Sequence, residues 1–355
     1  MTLTLASRDG SLRYADTPDH LENGVLRLMG LRRDEFERWI ELAGRSEEQG
    51  VLERLREGWA QLRPAPPQPH GREVEWGPQG MTGTIWHAAI AEAPSHGVAV
   101  CEATRHAWLV RHDGERFVRE TAPPAYEEAY FEGDRRQAGG YGDYLAQAGW
   151  RLEKAARQVR ELRARTALDA GRVLDIGSGY GFFRMALEQA GYEHDGLEVS
   201  EFARAVASSS YGQETYAGTL EEHWQRWEER YDAVTLFDLI EHIADPERML
   251  EQIAFILKPR GVLVIKTPNI DCPEAAVFGP HYHSLKREHL NYFSAASLTA
   301  AARMSGFEAI EVASASHLLV GFVGEEQTRA WERELRGADL LASYRLAFND
   351  VTAAS

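Results

Sequence analysis

Cysteine is almost missing from this chain. There are two in 355 residues, Cys101 and Cys272, and no Cys-x-x-Cys pair, so neither a disulfide framework nor a zinc knuckle is indicated. Positive charge is also short: 39 Lys and Arg stand against 55 Asp and Glu, for a formal charge of −16. Phosphate neutralisation supplies most of a general affinity for nucleic acid, so that class of partner is not expected. No apolar run is long enough to span a bilayer. Met1 to Gly10 lacks the basic-then-apolar order of a secretory signal. The expectation is a cytoplasmic protein that acts on a small molecule, with no nucleic-acid partner and no membrane span. A hydrophobic fraction of 44% supports a real core, and the length suits one large domain plus an extension.

Glycine is where the chain becomes specific. Arg172 to Ile176 reads as a short apolar strand. It breaks into Gly177-Ser178-Gly179-Tyr180-Gly181 and resumes as a helix with Phe183, Ala186, Leu187 and Ala190 on one face. A strand that passes through glycines into a helix lets backbone approach a ligand and leaves unpaired N–H groups at the helix start. A dinucleotide site needs Gly-x-Gly-x-x-Gly, because the pyrophosphate sits on the helix end. Here the spacing is Gly-x-Gly-x-Gly, with Phe182 where the third glycine would stand. Asp175 lies at the mouth of the turn, where it would repel a phosphate and suit a ligand with a cationic end. Glu198 ends the next strand, about 20 residues beyond the first glycine, where an acid can accept both hydroxyls of a ribose.

From residue 172 strands and helices alternate. Tyr192–Val199, Glu214–Ala217, Tyr231–Asp238 and Gly261–Lys266 follow as strands. Asp245 caps a helix that has Pro246 at its first position. Such alternation predicts a mostly parallel sheet covered on both faces. Phe307–Val312 and His317–Val323, separated by 313–316, are expected to pair antiparallel, and 325–349 to be helical. Before the sheet, Phe36, Trp39, Ile40 and Ala43 form one helical stripe, and Leu52, Leu55, Trp59 and Leu62 another. Ser46-Glu47-Glu48-Gln49 has capping-box form, and the prolines of 64–69 read as a stiff linker. Residues 72–122 carry a β signal, with a hairpin turning on Asp113-Gly114. Leu145, Ala148, Leu152, Ala155, Val159 and Leu162 share one face of a helix that leads into the first strand.

Asp175-Ile176-Gly177-Ser178-Gly179-Tyr180-Gly181 resembles motif I of the class I S-adenosylmethionine (AdoMet) methyltransferases. Phe237-Asp238-Leu239-Ile240-Glu241-His242 resembles motif II in its Asp-x-x-Glu-His form, and Leu257-Lys258-Pro259-Arg260-Gly261 resembles motif III. The resemblance covers roughly 126–325. It implies a doubly wound, seven-stranded, mostly parallel Rossmann-like sheet; by the patterns above, an N-terminal helical extension (1–63, with the hairpin at 21–63) and a linker and small β region (64–125) precede it, and a helical segment (326–355) follows. It implies AdoMet as cofactor, held by Asp175, Gly177, Ser178, Gly179, Gly181 and Glu198. Thr219 and Leu220 would lie at the adenine, and Phe237 and Asp238 at the next strand end. Some relatives carry a zinc module at the N-terminal end; two cysteines cannot build one.

Asp238, Glu241 and His242 would share a face if their segment turns helically. Two readings stand: a general base with its orienting partner, or ligands of a divalent metal such as Mg²⁺, with His289 completing the set. The first is the expectation. The stretch Glu288-His289-Leu290-Asn291-Tyr292-Phe293 resembles a segment of a methyltransferase subfamily that includes ubiquinone-pathway and polysaccharide-cluster enzymes. His281, His283 and His289 crowd there. Histidine titrates near neutrality and can take a hydroxyl proton; His289 is the expected base, with Glu241 and His242 beside the reaction. The reaction implied is methyl transfer to a hydroxyl of a carbohydrate or phenolic small-molecule acceptor. The alternatives are a nicotinamide-dependent oxidoreductase, disfavoured by Asp175 and Phe182, and a binding protein that keeps the fold without turnover.

Overall fold

The computed structural model describes residues 29, 31–44, 50–63, 84–87, 89–91, 93–101, 104–114, 116–122, 126–133, 144–315 and 325–347. The capping-box residues 46–49, the prolines of 64–69 and the strand expected over 317–323 lie outside them. Contacts cluster into two units. One comprises Met1–Thr121, Pro268–Ser297 and Ala313–Leu340; the other comprises Ala122–Thr267, Leu298–Val312 and Leu341–Ser355.

The second unit is organised on a seven-stranded sheet. Its strands are β5 (Arg172–Ile176), β6 (Glu193–Glu198), β7 (Tyr216–Ala217), β8 (Tyr231–Phe237), β9 (Leu257–Pro268), β11 (Phe307–Ala315) and β12 (Asp339–Leu346), in the order β11-β12-β9-β8-β5-β6-β7. β5 pairs parallel with both β6 and β8, β6 with β7, and β8 with β9. The chain therefore steps outward from β5 through β6 to β7, then returns to β8 on the other side of β5. That reversal opens a crevice at the carboxyl ends of β5 and β8, where open α/β sheets bind ligands. Val173, Leu174, Ala233, Val234, Leu263 and Ile265 are buried, the continuous apolar content of strands covered on both faces. The lead-in helix Ala148–Thr166 packs Ala155, Val159 and Leu162 onto Phe183, Leu187 and Val173. Asp245 accepts the Arg248 N–H at 3.0 Å and Pro246 opens the helix Pro246–Ile256, as the sequence predicts.

Two elements depart from expectation. β11 runs on through Ala313-Ser314-Ala315, where a turn was expected. That run holds no Gly, Pro, Asn or Asp to impose one, and alternating small residues can extend a strand. The helix expected over 325–349 covers only Glu325–Arg333, and Asp339–Leu346 is strand β12, inserted between β11 and β9. Leu340, Ala342, Ser343 and Tyr344 are buried there. Ala342, Ser343 and Tyr344 are buried in succession, which breaks the alternation that would mark a strand.

The first unit contains the expected hairpin, helices Arg33–Ala43 and Val51–Leu62. A Cβ on Gly58 would sit 2.9 Å from the Ala43 backbone nitrogen, so the helices touch backbone to backbone. Trp39 packs on Trp59 at 5.4 Å, and both meet Phe278 at 5.5 and 4.9 Å. Beside this cluster stands an antiparallel sheet of β1 (Thr84–His87), β2 (His96–Val100), β3 (Ala107–His112) and β10 (Asn291–Tyr292), with β4 (Phe117–Arg119) on β3. The expected hairpin at Asp113-Gly114 is there: the Asp113 carboxylate accepts the Arg116 N–H at 2.9 Å, and Gly114 has φ 113°.

Candidate functional site

The glycine turn is tied to the end of β6. The N–H groups of Gly177 and Ser178 both donate to the Leu197 carbonyl, at 2.8 and 3.2 Å. Gly179 donates its N–H to Glu198 Oε2 at 2.9 Å, and Ser200 donates its N–H to Glu198 Oε1 at 2.9 Å. The carboxylate is thus fixed by two backbone donors. Burial raises Glu198 above its ordinary value, and the Ser200 and Gly179 donors oppose that rise. Gly177 and Gly179 have φ of 73° and 52°, a region that penalises side chains. A Cβ on Gly177 would meet Leu239 at 2.9 Å, and one on Gly179 would meet the Tyr144 hydroxyl at 3.3 Å.

Around this turn lies an open cavity of about 1170 Å³, part of it continuous with solvent. Asp175, Gly177, Ser178, Gly179 and Glu198 line it, as do Thr219, Leu220, Phe237, Asp238 and His242. The structure therefore brings together most residues singled out from the sequence. Gly181 does not line the cavity; it is the residue before the helix Phe182–Gln189, with φ 83°. Thr219 combines two roles, lining the cavity and capping the short 3₁₀ turn Leu220–Glu222. Glu241 lies outside the lining, buried, where it accepts the Thr267 hydroxyl at 2.9 Å. Burial and the neighbouring Asp238 raise it above the usual carboxylate range.

Asp238 has a left-handed backbone, φ 55°. Burial works against its charge, but Lys154 and Lys266 hold it well below the ordinary range. Lys154 Nζ lies 3.1 Å from Oδ2 and Lys266 Nζ 2.9 Å from Oδ1. With one ammonium on each oxygen, this carboxylate does not fit as a metal ligand. Asp175 is buried too. Its Oδ1 accepts the Thr235 hydroxyl at 2.8 Å, and burial pushes it up to about 7.

The lead-in helix is expected to help cover the cofactor, but the sequence names no residue on that wall of the cavity. Tyr126, Tyr130, Phe131 and Tyr144 line it from the segment before the lead-in helix, and Arg151 and Lys154 from the helix itself. The Tyr126 ring stands edge-on to His242 at 6.0 Å, and the Arg151 guanidinium lies 3.4 Å over Tyr144. Arg151, Lys154 and Gln158 recur at helical spacing beside the apolar stripe, as they would on any solvated helix face, so the pattern alone does not mark them.

His281, His283 and His289 belong to the first unit. His281 packs 6.0 Å from Trp59, and His283 lies against Tyr282 at 4.7 Å with its Nε2 3.2 Å from the Ser284 hydroxyl. His289 is buried, its backbone N–H donating to the Lys286 carbonyl at 3.2 Å. Tyr292 donates its hydroxyl to the same carbonyl at 3.0 Å.

Residues 148–312 match a family described as a methyltransferase domain. The ubiquinone biosynthesis O-methyltransferase of Bordetella avium is 30% identical over 155 residues, 40% of this chain and 64% of that protein. Its Vibrio cholerae counterpart is 30% identical over 139 residues, 35% of this chain and 57% of that protein. The chain thus spans less than two thirds of the length of these curated relatives. A SAM-dependent methyltransferase of Archaeoglobus fulgidus of known structure superposes with a TM-score of 0.45 at 17% identity, over 57% of this chain and 98% of its own. Among the described residues no helix is long and apolar enough to cross a membrane. On its glycine turn, its sheet order and the match over 148–312, the chain carries a class I AdoMet-dependent methyltransferase domain, and over that domain it resembles the ubiquinone biosynthesis O-methyltransferases.

Proposed function

We propose that the cavity at the glycine turn binds AdoMet and that the protein transfers its methyl group to a hydroxyl oxygen of a small acceptor. The observation that carries this is the Glu198 carboxylate, locked by two backbone donors beside a glycine turn that leaves no room for a Cβ. That is the geometry for a ribose at the turn. Asp175 offers a carboxylate to a cationic ligand end, and the Tyr126, Tyr130 and Phe131 rings give an apolar wall on which a sulfonium is attracted to π faces.

AdoMet supplies an electrophilic methyl on sulfur. The acceptor oxygen forms the new C–O bond as the C–S bond breaks, which leaves S-adenosylhomocysteine, and the hydroxyl proton goes to a base. The chain's contribution is alignment. Asp238, with both oxygens held by lysines, fixes the end of β8 rather than moving a proton. His242 lines the cavity and is assigned to the acceptor side, with the buried Glu241 as its neighbour in the chain. The role of base is given to His289 on the resemblance of Glu288–Phe293 alone. The acceptor class follows the relatives: their names specify O-methylation in ubiquinone biosynthesis, which favours a phenolic hydroxyl over a carbohydrate one.

Two variants test the reading. Gly179→Val puts a branched side chain at a positive φ and against Tyr144. AdoMet affinity should fall about a hundredfold or more, or roughly 3 kcal/mol, in a protein that still folds. Wild-type affinity by calorimetry, or tight NAD(H) binding in its place, would overturn the assignment. His289→Ala should lower kcat by about 10²–10⁴ with AdoMet binding intact; an unchanged kcat would take the base role away from it.

A further inference from the structure

Gly196, in the middle of β6, requires no left-handed backbone, yet it has no room for a side chain. A Cβ there would lie 2.5 Å from Arg184 Nε and 2.6 Å from its Cζ. The glycine is the seat of a guanidinium. Arg184 is the third residue of the helix that follows the turn, and it is 1% exposed. Its Nη1 donates to the Glu214 carbonyl at 2.6 Å and its Nη2 to the Thr215 hydroxyl at 2.6 Å. Its Nε is buried without a protein partner among the described residues.

The strand register shows what this cation faces. Gly196 pairs with Asp175 across β5 and β6, and Asp175 pairs with Thr235 across β5 and β8. Residues paired across neighbouring strands project from the same face of a sheet. The Thr235 hydroxyl, the Asp175 carboxylate and the Arg184 guanidinium therefore form one row at the foot of the glycine turn. A buried arginine is costly unless its charge is used, and its bonds here all end on uncharged acceptors, the Glu214 and Gln213 carbonyls and the Thr215 hydroxyl.

We infer that Arg184 is a positioning residue for the cofactor: its buried charge favours the anionic form of Asp175, the form receptive to a cationic ligand end, while its hydrogen bonds fix 214–215 on the approach to Gly218 and Thr219. The inference rests on the reading of the cavity as an AdoMet site. The groups that face Asp175 are the Thr235 hydroxyl on β8, Arg184 on the helix and Glu198 on β6, and Asp175 in turn acts on Tyr144. Burial raises the carboxyl, the Thr235 bond and Arg184 pull it down, and Glu198 pushes it up. Among the carboxylates acting on Arg184, Asp175 is foremost.

The test is calorimetry with AdoMet between about pH 5.5 and about 8.5, with circular dichroism to show that each variant is folded. Wild-type affinity should fall as the pH drops below about 7. Arg184→Met should move that midpoint upward by about one pH unit or more, the usual effect of removing an opposite charge. Gly196→Ala, which forces a methyl into the guanidinium, should move it the same way. Arg184→Lys, which keeps the charge, should hold the midpoint near that of the wild type. Asp175→Asn, an isosteric change, should bind weakly and flatten the profile whether or not the Arg184→Met protein folds. A wild-type midpoint in Arg184→Met or Gly196→Ala, or an unflattened profile in Asp175→Asn, would overturn the inference alone. A wild-type protein that binds no AdoMet at any pH would remove the cavity's assignment first.

Discussion

In the second unit, five consecutive residues, Gly177 to Gly181, set the backbone around which the cavity forms, and the strand ends that complete it lie at fixed distances along the chain. In the first unit the centre is Trp39, Trp59 and Phe278, drawn from two helices near residue 50 and a third more than 200 residues later. One unit is specified by backbone conformations that only certain residues tolerate. The other is specified by volume and shape, which many apolar residues can satisfy. The first kind of specification is local and can be recognised in a sequence. The second appears only when the chain is folded.

The largest expected effect lies on the packing side of that contrast. Trp59→Ala empties a site that touches both Trp39 and Phe278 and should cost about 3–5 kcal/mol. Urea unfolding monitored by tryptophan fluorescence should show an early transition, while AdoMet still binds to what remains folded with an affinity within about twofold of the wild type. If the variant keeps wild-type stability, the aromatic cluster is not the centre of its unit. If it loses cofactor affinity in proportion to its stability, the contrast between the two units is wrong.

The second effect separates site chemistry from stability within one residue. Asp175 titrates near 3.8 in a free chain and is raised to about 7 by burial. A carboxyl raised on folding contributes stability that is fully present below the free value and lost as the pH climbs to the folded value. Above about pH 7 the apo protein therefore carries a charge that its fold disfavours. Asp175→Asn keeps the acceptor for the Thr235 hydroxyl and should stabilise the apo protein by about 2–4 kcal/mol at pH 7.5, with little gain at pH 4. It should at the same time weaken AdoMet binding. Thermal melts at the two pH values check the sign; a variant equally stable at both relative to wild type would show that Asp175 is not held in a disfavoured state.

Much of this unit could be read in advance, and the residues say why. The turn, Glu198 and the Asp245-Pro246 cap each depend on a backbone state or a short-range hydrogen bond. Thr219 was legible as a cap, and it both caps the turn and lines the cavity. β12 was not legible, because its alternation breaks where Ala342, Ser343 and Tyr344 are buried in succession, and its neighbours in the sheet, β9 and β11, precede it in the chain. Lys154 and Lys266 were passed over because their partner Asp238 is 84 and 28 residues away, and nothing local marks an ion pair across that distance. Gly196 carries no local mark either, because the Arg184 side chain that fills its place comes from another element.

The smallest of these effects belongs to Glu198, and it needs the most care. Glu198→Ala removes the proposed ribose acceptor, and it also leaves the Gly179 and Ser200 N–H groups without their carboxylate. The expected loss of AdoMet affinity is about 1.5–3 kcal/mol, the scale of hydrogen bonds to a charged group, but a slackened turn could give the same number. A ligand that lacks the ribose 2′-hydroxyl separates the causes. If Glu198 binds the ribose, the deoxy analogue should already be weak with the wild type, and the substitution should cost it clearly less than it costs AdoMet. If Glu198 serves only to tether the turn, both ligands should lose equally. Equal losses would leave the glycine turn as the cofactor's seat and move the ribose contact to another cavity residue.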